Sequence, residues 1–264
     1  MNERLATLVY DNREQQVCWQ GYELLDNDAF DSFMTKNVAA RLNDDEGSIE
    51  FQSHLRSLSL TGFGKSSLEA VLDADTPEER DWAVGEAFAE AWLSDKHKII
   101  WPWNMERDKR NANASLPGAD LVGFVVNGSD TRLVLGEVKS SGQDQYPPNV
   151  LYGRSGMINQ IDRLADDLKT IRTLLRWLFY RCKNTVFETY YKASAILYFN
   201  SGNKSVSLFG VLIRDTEANE LDLKNRGKNL GYSLNAPTSC HLLAFYLPCK
   251  IAELPERVKG GVAS

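Results

Sequence analysis

Gly118-Ala119-Asp120-Leu121-Val122-Gly123-Phe124-Val125-Val126-Asn127-Gly128-Ser129-Asp130-Thr131-Arg132-Leu133-Val134-Leu135-Gly136-Glu137-Val138-Lys139 is the stretch whose reading decides the fold. Asn127-Gly128-Ser129-Asp130 has turn chemistry and lies between two apolar runs, so Asp120–Val126 and Arg132–Lys139 read as the strands of a hairpin. With the connection at 127–130, Val126 faces Thr131 and Asp120 falls opposite Glu137. Opposed residues share a face of the sheet, with Cβ atoms about 4.5–5.5 Å apart. Alternation along the second strand puts Lys139 on that same face.

Two carboxylates and a lysine therefore gather at one end of the hairpin. Carboxylates that close repel strongly unless a cation sits between them. Hard oxygen ligands with open positions suit Mg²⁺ or Mn²⁺. The string (D/E)-x-K is weak by itself, and its context discriminates. Asp167-Leu168-Lys169 reads as mid-helix, where residues two apart point in different directions. Asp222-Leu223-Lys224 sits in a polar segment with no partner strand, whereas Glu137-Val138-Lys139 ends a buried-looking strand.

Upstream, Thr76-Pro77-Glu78-Glu79 reads as a helix start, with Thr as N-cap, Pro at the first position and Glu closing a capping box. The helix extends to about Leu93, offering Ala83, Ala87, Phe88, Ala91 and Trp92 for packing. Glu86 and Glu90 stand one turn apart on one face, among small residues that permit close approach to a sheet. Downstream, a Gly/Pro/Gln-rich loop over 140–153 leads into a long helix over 155–181. Its stripe is Met157, Ile161, Leu164, Leu168, Ile171, Leu175 and Leu178. Further strands are expected at Ala193–Phe199, Ser207–Arg214 and Leu242–Leu247.

The fold class is thus α/β, a mixed central sheet flanked by helices over residues 76–264. Residues 1–75 form an N-terminal α+β elaboration, a place for regulation or partner docking. It has strand pieces at Leu5–Tyr10 and Val17–Leu25 and a turn at Thr61–Lys65. Gly62-Phe63-Gly64-Lys65-Ser66 is a turn and not a phosphate loop, because Ser59 stands where the first glycine of that motif belongs.

Net charge is -6, but it is unevenly spread. Residues 1–95 carry 20 acids against 7 Lys/Arg, and residues 169–264 carry 7 acids against 14. A basic C-terminal third suits phosphates, while an acidic N-terminal third suits a protein partner. No apolar run approaches the ~20 residues that span a bilayer, and Met1–Tyr10 has no secretion-signal pattern. The scattered cysteines (Cys18, Cys182, Cys240, Cys249) point to free thiols in a cytoplasmic protein rather than a zinc site. His54, His97 and His241 form no close cluster in sequence. Trp101-Pro102-Trp103 and Tyr190-Tyr191 would suit base stacking, though core packing is the commoner use of such residues.

Taken together, these elements resemble the PD-(D/E)XK nuclease superfamily. The matching parts are Glu86/Glu90 on a helix, Pro117-Gly118-Ala119-Asp120 at one strand, Glu137-Val138-Lys139 on the next, and a helix after it. Ala119 stands where the motif has its proline, with Pro117 displaced by two; that proline is not a metal ligand. The resemblance implies a restriction-endonuclease-like fold and Mg²⁺-dependent hydrolysis of DNA phosphodiester bonds. It implies that Asp120, Glu137 and the Val138 carbonyl hold the metal and that Lys139 serves the attacking water. It further implies that Glu86 or Glu90 completes the metal shell and that Gln160 contacts substrate. More narrowly, Gly-Ala-Asp…Gly-Glu-Val-Lys-Ser with the N-terminal elaboration looks like the nuclease subunit of the Hachiman anti-phage defence system, which implies a helicase partner. The alternative is a catalytically idle module of the same fold that binds nucleic acid or a protein.

Overall fold

A computed structural model describes residues 4–58, 61–72, 81–108 and 118–260. Its centre is one six-stranded mixed sheet in the order β1-β2-β6-β5-β4-β3. The strands are β1 (Ala6–Glu14), β2 (Val17–Leu24), β3 (Leu121–Asn127), β4 (Asp130–Ser141), β5 (Val206–Arg214) and β6 (Ser239–Tyr246). β1 and β3 run antiparallel to their neighbours, and β2, β6, β5 and β4 are mutually parallel. Residues 1–75 thus supply two strands of the same sheet, joined to the rest through the pairing of β2 with β6. All nine residues of β5 are buried, as expected for a parallel strand covered on both faces.

The hairpin closes in the register that the turn predicts, with Val126 opposite Thr131 and Leu121 opposite Gly136. Its ladder runs one pair further, to Asn127 and Asp130, so only Gly128 and Ser129 make the turn. Gly128 takes φ +62°, the left-handed conformation that such a turn requires.

One face of the sheet is covered by α1 (Asp28–Ser32), which continues through a π-helical turn (Phe33–Val38) into α2 (Ala39–Leu42), and by α5 (Asp81–His97) and α10 (Leu254–Val258). Gly85 of α5 sits against Val138, Ser140 and Ile213, so the small residues of that helix do allow close packing on the strands. The helix start expected at Thr76–Glu79 lies outside the described residues. α6 (Met157–Asp166), α7 (Leu168–Cys182), α8 (Glu188–Asn200) and α9 (Lys224–Ser233) cover the other face. α3 (Asp45–Leu58) and α4 (Gly62–Leu72) contribute no buried residue.

Three expectations are corrected. Ala193–Phe199 is helix, not strand, and belongs to α8. Ser194, Ala195 and Tyr198 are its buried residues, a helical spacing hidden by the apolar run Ala195–Phe199 beside it. The single helix expected over 155–181 is two, because Asp167 leaves helical geometry (φ -81°, ψ 97°) and caps α7 by accepting from the Lys169 N–H. The turn at Thr61–Lys65 is instead the first turn of α4, where the Thr61 hydroxyl accepts from the Gly64 N–H.

Candidate active site

Side chains at 133 and 135 of β4 and at 122 and 124 of β3 point into the core under α6–α8. The same alternation carries Glu137, Lys139 and Asp120 onto that face at the strand ends. Lys139 Nζ lies 2.5 Å from Glu137 Oε1. Asp120 is tied in by its backbone N–H, which donates to the Gly136 carbonyl at 3.0 Å, and by its Oδ2, which accepts from the Val138 N–H at 2.9 Å. β3 begins only at Leu121, so the edge of β4 at Val138 meets the Asp120 carboxylate instead of a strand. The N–H and C=O of one strand residue point to the same side. The Val138 carbonyl therefore faces the same end of the hairpin as Asp120.

The electrostatics are those of a crowded anion pair. Glu137 is almost fully buried, and burial, reinforced by the charge of Asp120, raises its carboxyl from 4.5 to about 7 against the opposing pull of Lys139. A divalent cation between the two carboxylates would remove that penalty. Two carboxylates and a backbone carbonyl are hard oxygen donors that leave positions for water, which fits Mg²⁺ or Mn²⁺. Among the described residues, no three Asp, Glu, His or Cys side chains come together as a metal-holding group.

These residues open into a cleft of about 570 Å³. Gln160 lines it, as expected, from α6. Ser155, Arg163, Asp167, Lys169, Thr170 and Thr173 line it too, and reading the sequence missed them. The helix break brings them there. Asp167 accepts from the Lys169 N–H and the Thr170 hydroxyl, and an Asp followed three residues later by Thr at the start of a fresh apolar period was the available signal. Glu90 goes elsewhere. It lies on α5, against the opposite face, where Arg41 Nε donates to its Oε2 at 2.5 Å. Glu86, on the same helix, is half-buried, and no described residue of α5 lines the cleft.

The chain matches no protein-family model, no curated protein and no solved structure.

Other motifs resolve into packing. Trp101 donates its indole N–H to Ser94 and to the Glu90 carbonyl, and the guanidiniums of Arg107 and Arg181 lie 4.9 and 4.6 Å from the Trp103 ring centroid. Tyr190 and Tyr191 pack on the core. His97 and His241, distant in sequence, meet with ring centroids 5.5 Å apart, and His241 Nδ1 lies 3.0 Å from Cys18 Sγ. Burial lowers His97, lowers His241 to about 4 and raises Cys18 to about 11, so this cluster is neutral near pH 7.

Gly118 precedes the site at φ +126°, and a Cβ there would stand 2.8 Å from Leu174 Cδ2. Gly118→Ala is expected to cost about 1–3 kcal/mol through backbone strain and to lower the melting temperature by roughly 5 °C. Thermal melting checks this, and an unchanged Tm would refute it.

Proposed function

We propose that this chain is a Mg²⁺-dependent nuclease of the PD-(D/E)XK type, restriction-endonuclease-like in fold, that hydrolyses DNA phosphodiester bonds. One observation carries the reading: Asp120, Glu137 and Lys139 meet on one face at the end of a hairpin, in an open cleft that also holds Gln160, Arg163 and Lys169. Asp120, Glu137 and the Val138 carbonyl would hold the ion, and Mn²⁺ would use the same donors. A metal held there would supply an acidified water and offset charge on the phosphate. Lys139 holds a fixed positive charge beside the reacting centre and orients the attacking water. Gln160 offers its amide to the substrate, and Arg163 and Lys169 balance phosphate charge at the cleft mouth.

The narrower proposal is an effector of an anti-phage defence complex, gated by a helicase partner in the manner of the Hachiman nuclease subunit. Its support is the acidic N-terminal region, whose α3 and α4 expose Ile49, Phe51 and Phe63. That surface is better suited to a protein than to nucleic acid.

The test is cleavage of plasmid and linear DNA in Mg²⁺, Mn²⁺ or EDTA, with and without a helicase partner. Lys139→Ala is expected to lower kcat by roughly 10²–10³ with little change in KM. Asp120→Asn should abolish the metal dependence together with the activity. Absence of cleavage under every metal, with and without the partner, would leave the idle binding module as the reading.

A further inference from the structure

The cleft continues onto the exposed face of α7. That helix, Leu-Lys-Thr-Ile-Arg-Thr-Leu-Leu-Arg-Trp-Leu-Phe-Tyr-Arg-Cys over 168–182, contains four basic residues and no acid. Arg181 is taken by Asp108. Lys169, Arg172 and Arg176 are exposed, and none makes an ion pair among the described residues. At 3.6 residues per turn they fall, with Thr173 and Tyr180, within one narrow stripe of the helix. Ile171, Leu174 and Leu178 occupy the opposite, buried side. The stripe starts at the cleft, which Lys169, Thr170 and Thr173 line. It runs about 16 Å to Tyr180, at 1.5 Å rise per residue. There two aromatic rings stand in solvent: Tyr180 is 63% exposed and Phe179 41%, with centroids 5.2 Å apart. Lys183 Nζ sits 5.8 Å from the Phe179 ring.

Cations without partners are ordinary on a surface. Here three stand in line, leading from a cleft with two carboxylates and a lysine to an exposed aromatic pair. Neighbouring α6 shows the contrast, since Asp162 and Asp166 are engaged by Arg226 and Lys204. We infer that α7 is the track for one nucleic-acid strand, with Lys169, Arg172 and Arg176 on successive phosphates and Tyr180 and Phe179 as a platform on which bases stack. Single strands are bound elsewhere by this pairing of a basic groove with exposed rings. The rings distinguish a single strand from a duplex, whose bases are already stacked. This inference rests on the cleft being a phosphodiester site, as proposed above.

The test uses the full chain in EDTA, where nothing is cut, and follows the anisotropy of a fluorescein-labelled oligothymidylate and of a duplex of equal length across a salt series. Arg172→Ala/Arg176→Ala is expected to weaken single-strand binding by about tenfold and to reduce the slope of log K against log salt by about 1.4, at ~0.7 per phosphate contact. Arg172→Lys/Arg176→Lys should keep the slope. Tyr180→Ala is expected to weaken the single strand by about tenfold and to spare the duplex. Unchanged melting curves verify that these surface variants fold. Wild-type affinity and slope in the double alanine variant would overturn the track, and a Tyr180→Ala variant that binds both ligands like wild type would overturn its single-strand preference. The outcome stays separable from the nuclease reading: strand binding along α7 by a protein that cuts nothing under any metal, with or without a partner, would sink the nuclease and keep the track. Cleavage with binding untouched by the substitutions would do the reverse.

Discussion

Glu137→Gln is expected to abolish cleavage and, in the metal-free protein above pH 7, to raise the melting temperature. Both effects have one cause. The carboxyl of Glu137 stands at about 7 in the folded chain against 4.5 when free, chiefly because it is buried and secondly because Asp120 is beside it. The folded state therefore binds this proton more tightly than the unfolded state. The associated stability is fully present below pH 4.5 and is lost as pH rises through 7. At 1.36 kcal/mol per pH unit, the metal-free wild type gives up about 3 kcal/mol across that window. Glutamine mimics the neutral carboxyl and escapes the loss, at the expense of the ion pair to the partly exposed Lys139. The variant should match wild type at pH 4.5 and exceed it by roughly 5–10 °C at pH 8 in EDTA. Adding Mg²⁺ should raise the wild-type Tm at pH 8 and leave the variant unmoved, because only a protein that binds the ion gains from it. Parallel Tm–pH curves for the two proteins, or equal responses to Mg²⁺, would show that Glu137 is neither strained nor a ligand. The functional expectation is a loss of at least a thousandfold in rate, the order expected when a group that stabilises transition-state charge is removed.

The hairpin was legible in the sequence because its determinants are local. A Gly-containing turn fixed the register, and the period of two fixed the face, so Asp120, Glu137 and Lys139 could be brought together without any distant contact. The pairing of β2 with β6 joins residues near 20 to residues near 243, and nothing local encodes it. The split between α6 and α7 was masked because Leu168 continues the apolar stripe of α6 across the break. In the structure Leu168 is exposed, Leu174 is buried, and Leu175 packs against the core only partly buried. That misreading also hid the cleft, since Asp167, Lys169, Thr170 and Thr173 face it only once the helix restarts. Glu90 shows the converse limit. Its place on a helix face was readable, but its engagement by Arg41, far away in sequence, was not.

Arg214→Ala is expected to cost about 3–5 kcal/mol and to lower the Tm by roughly 10–15 °C, the largest stability loss of any charged residue outside the cleft. Arg214 ends β5 with its side chain wholly buried, and reading the sequence gave it no role. Its Nε donates to Asp222 Oδ2 at 3.2 Å, and its other nitrogens donate to the carbonyls of Ser141, Gln143 and Gln145 at 2.9, 2.7 and 3.0 Å. One guanidinium thus holds the loop that leaves β4 just beyond Lys139, a task that needs the planar fork and that lysine would perform only in part. Asp222 is as buried as its partner; burial pushes its carboxyl up even with Arg214 and the Tyr246 hydroxyl pulling the other way. The pair is therefore not a net source of stability, yet either member alone would be a buried charge without compensation. Arg214→Met with Asp222→Leu should accordingly recover part of the loss, but not all, because three carbonyls stay without their donor. Hydrogen exchange in residues 141–146 should rise in both variants, while the turn at Gly128–Ser129 stays as in wild type. A double variant no more stable than Arg214→Ala would mean that the cost lies in the loop carbonyls rather than in the stranded aspartate. In that case Arg214 serves the site chiefly by fixing where the strand carrying Glu137 and Lys139 ends.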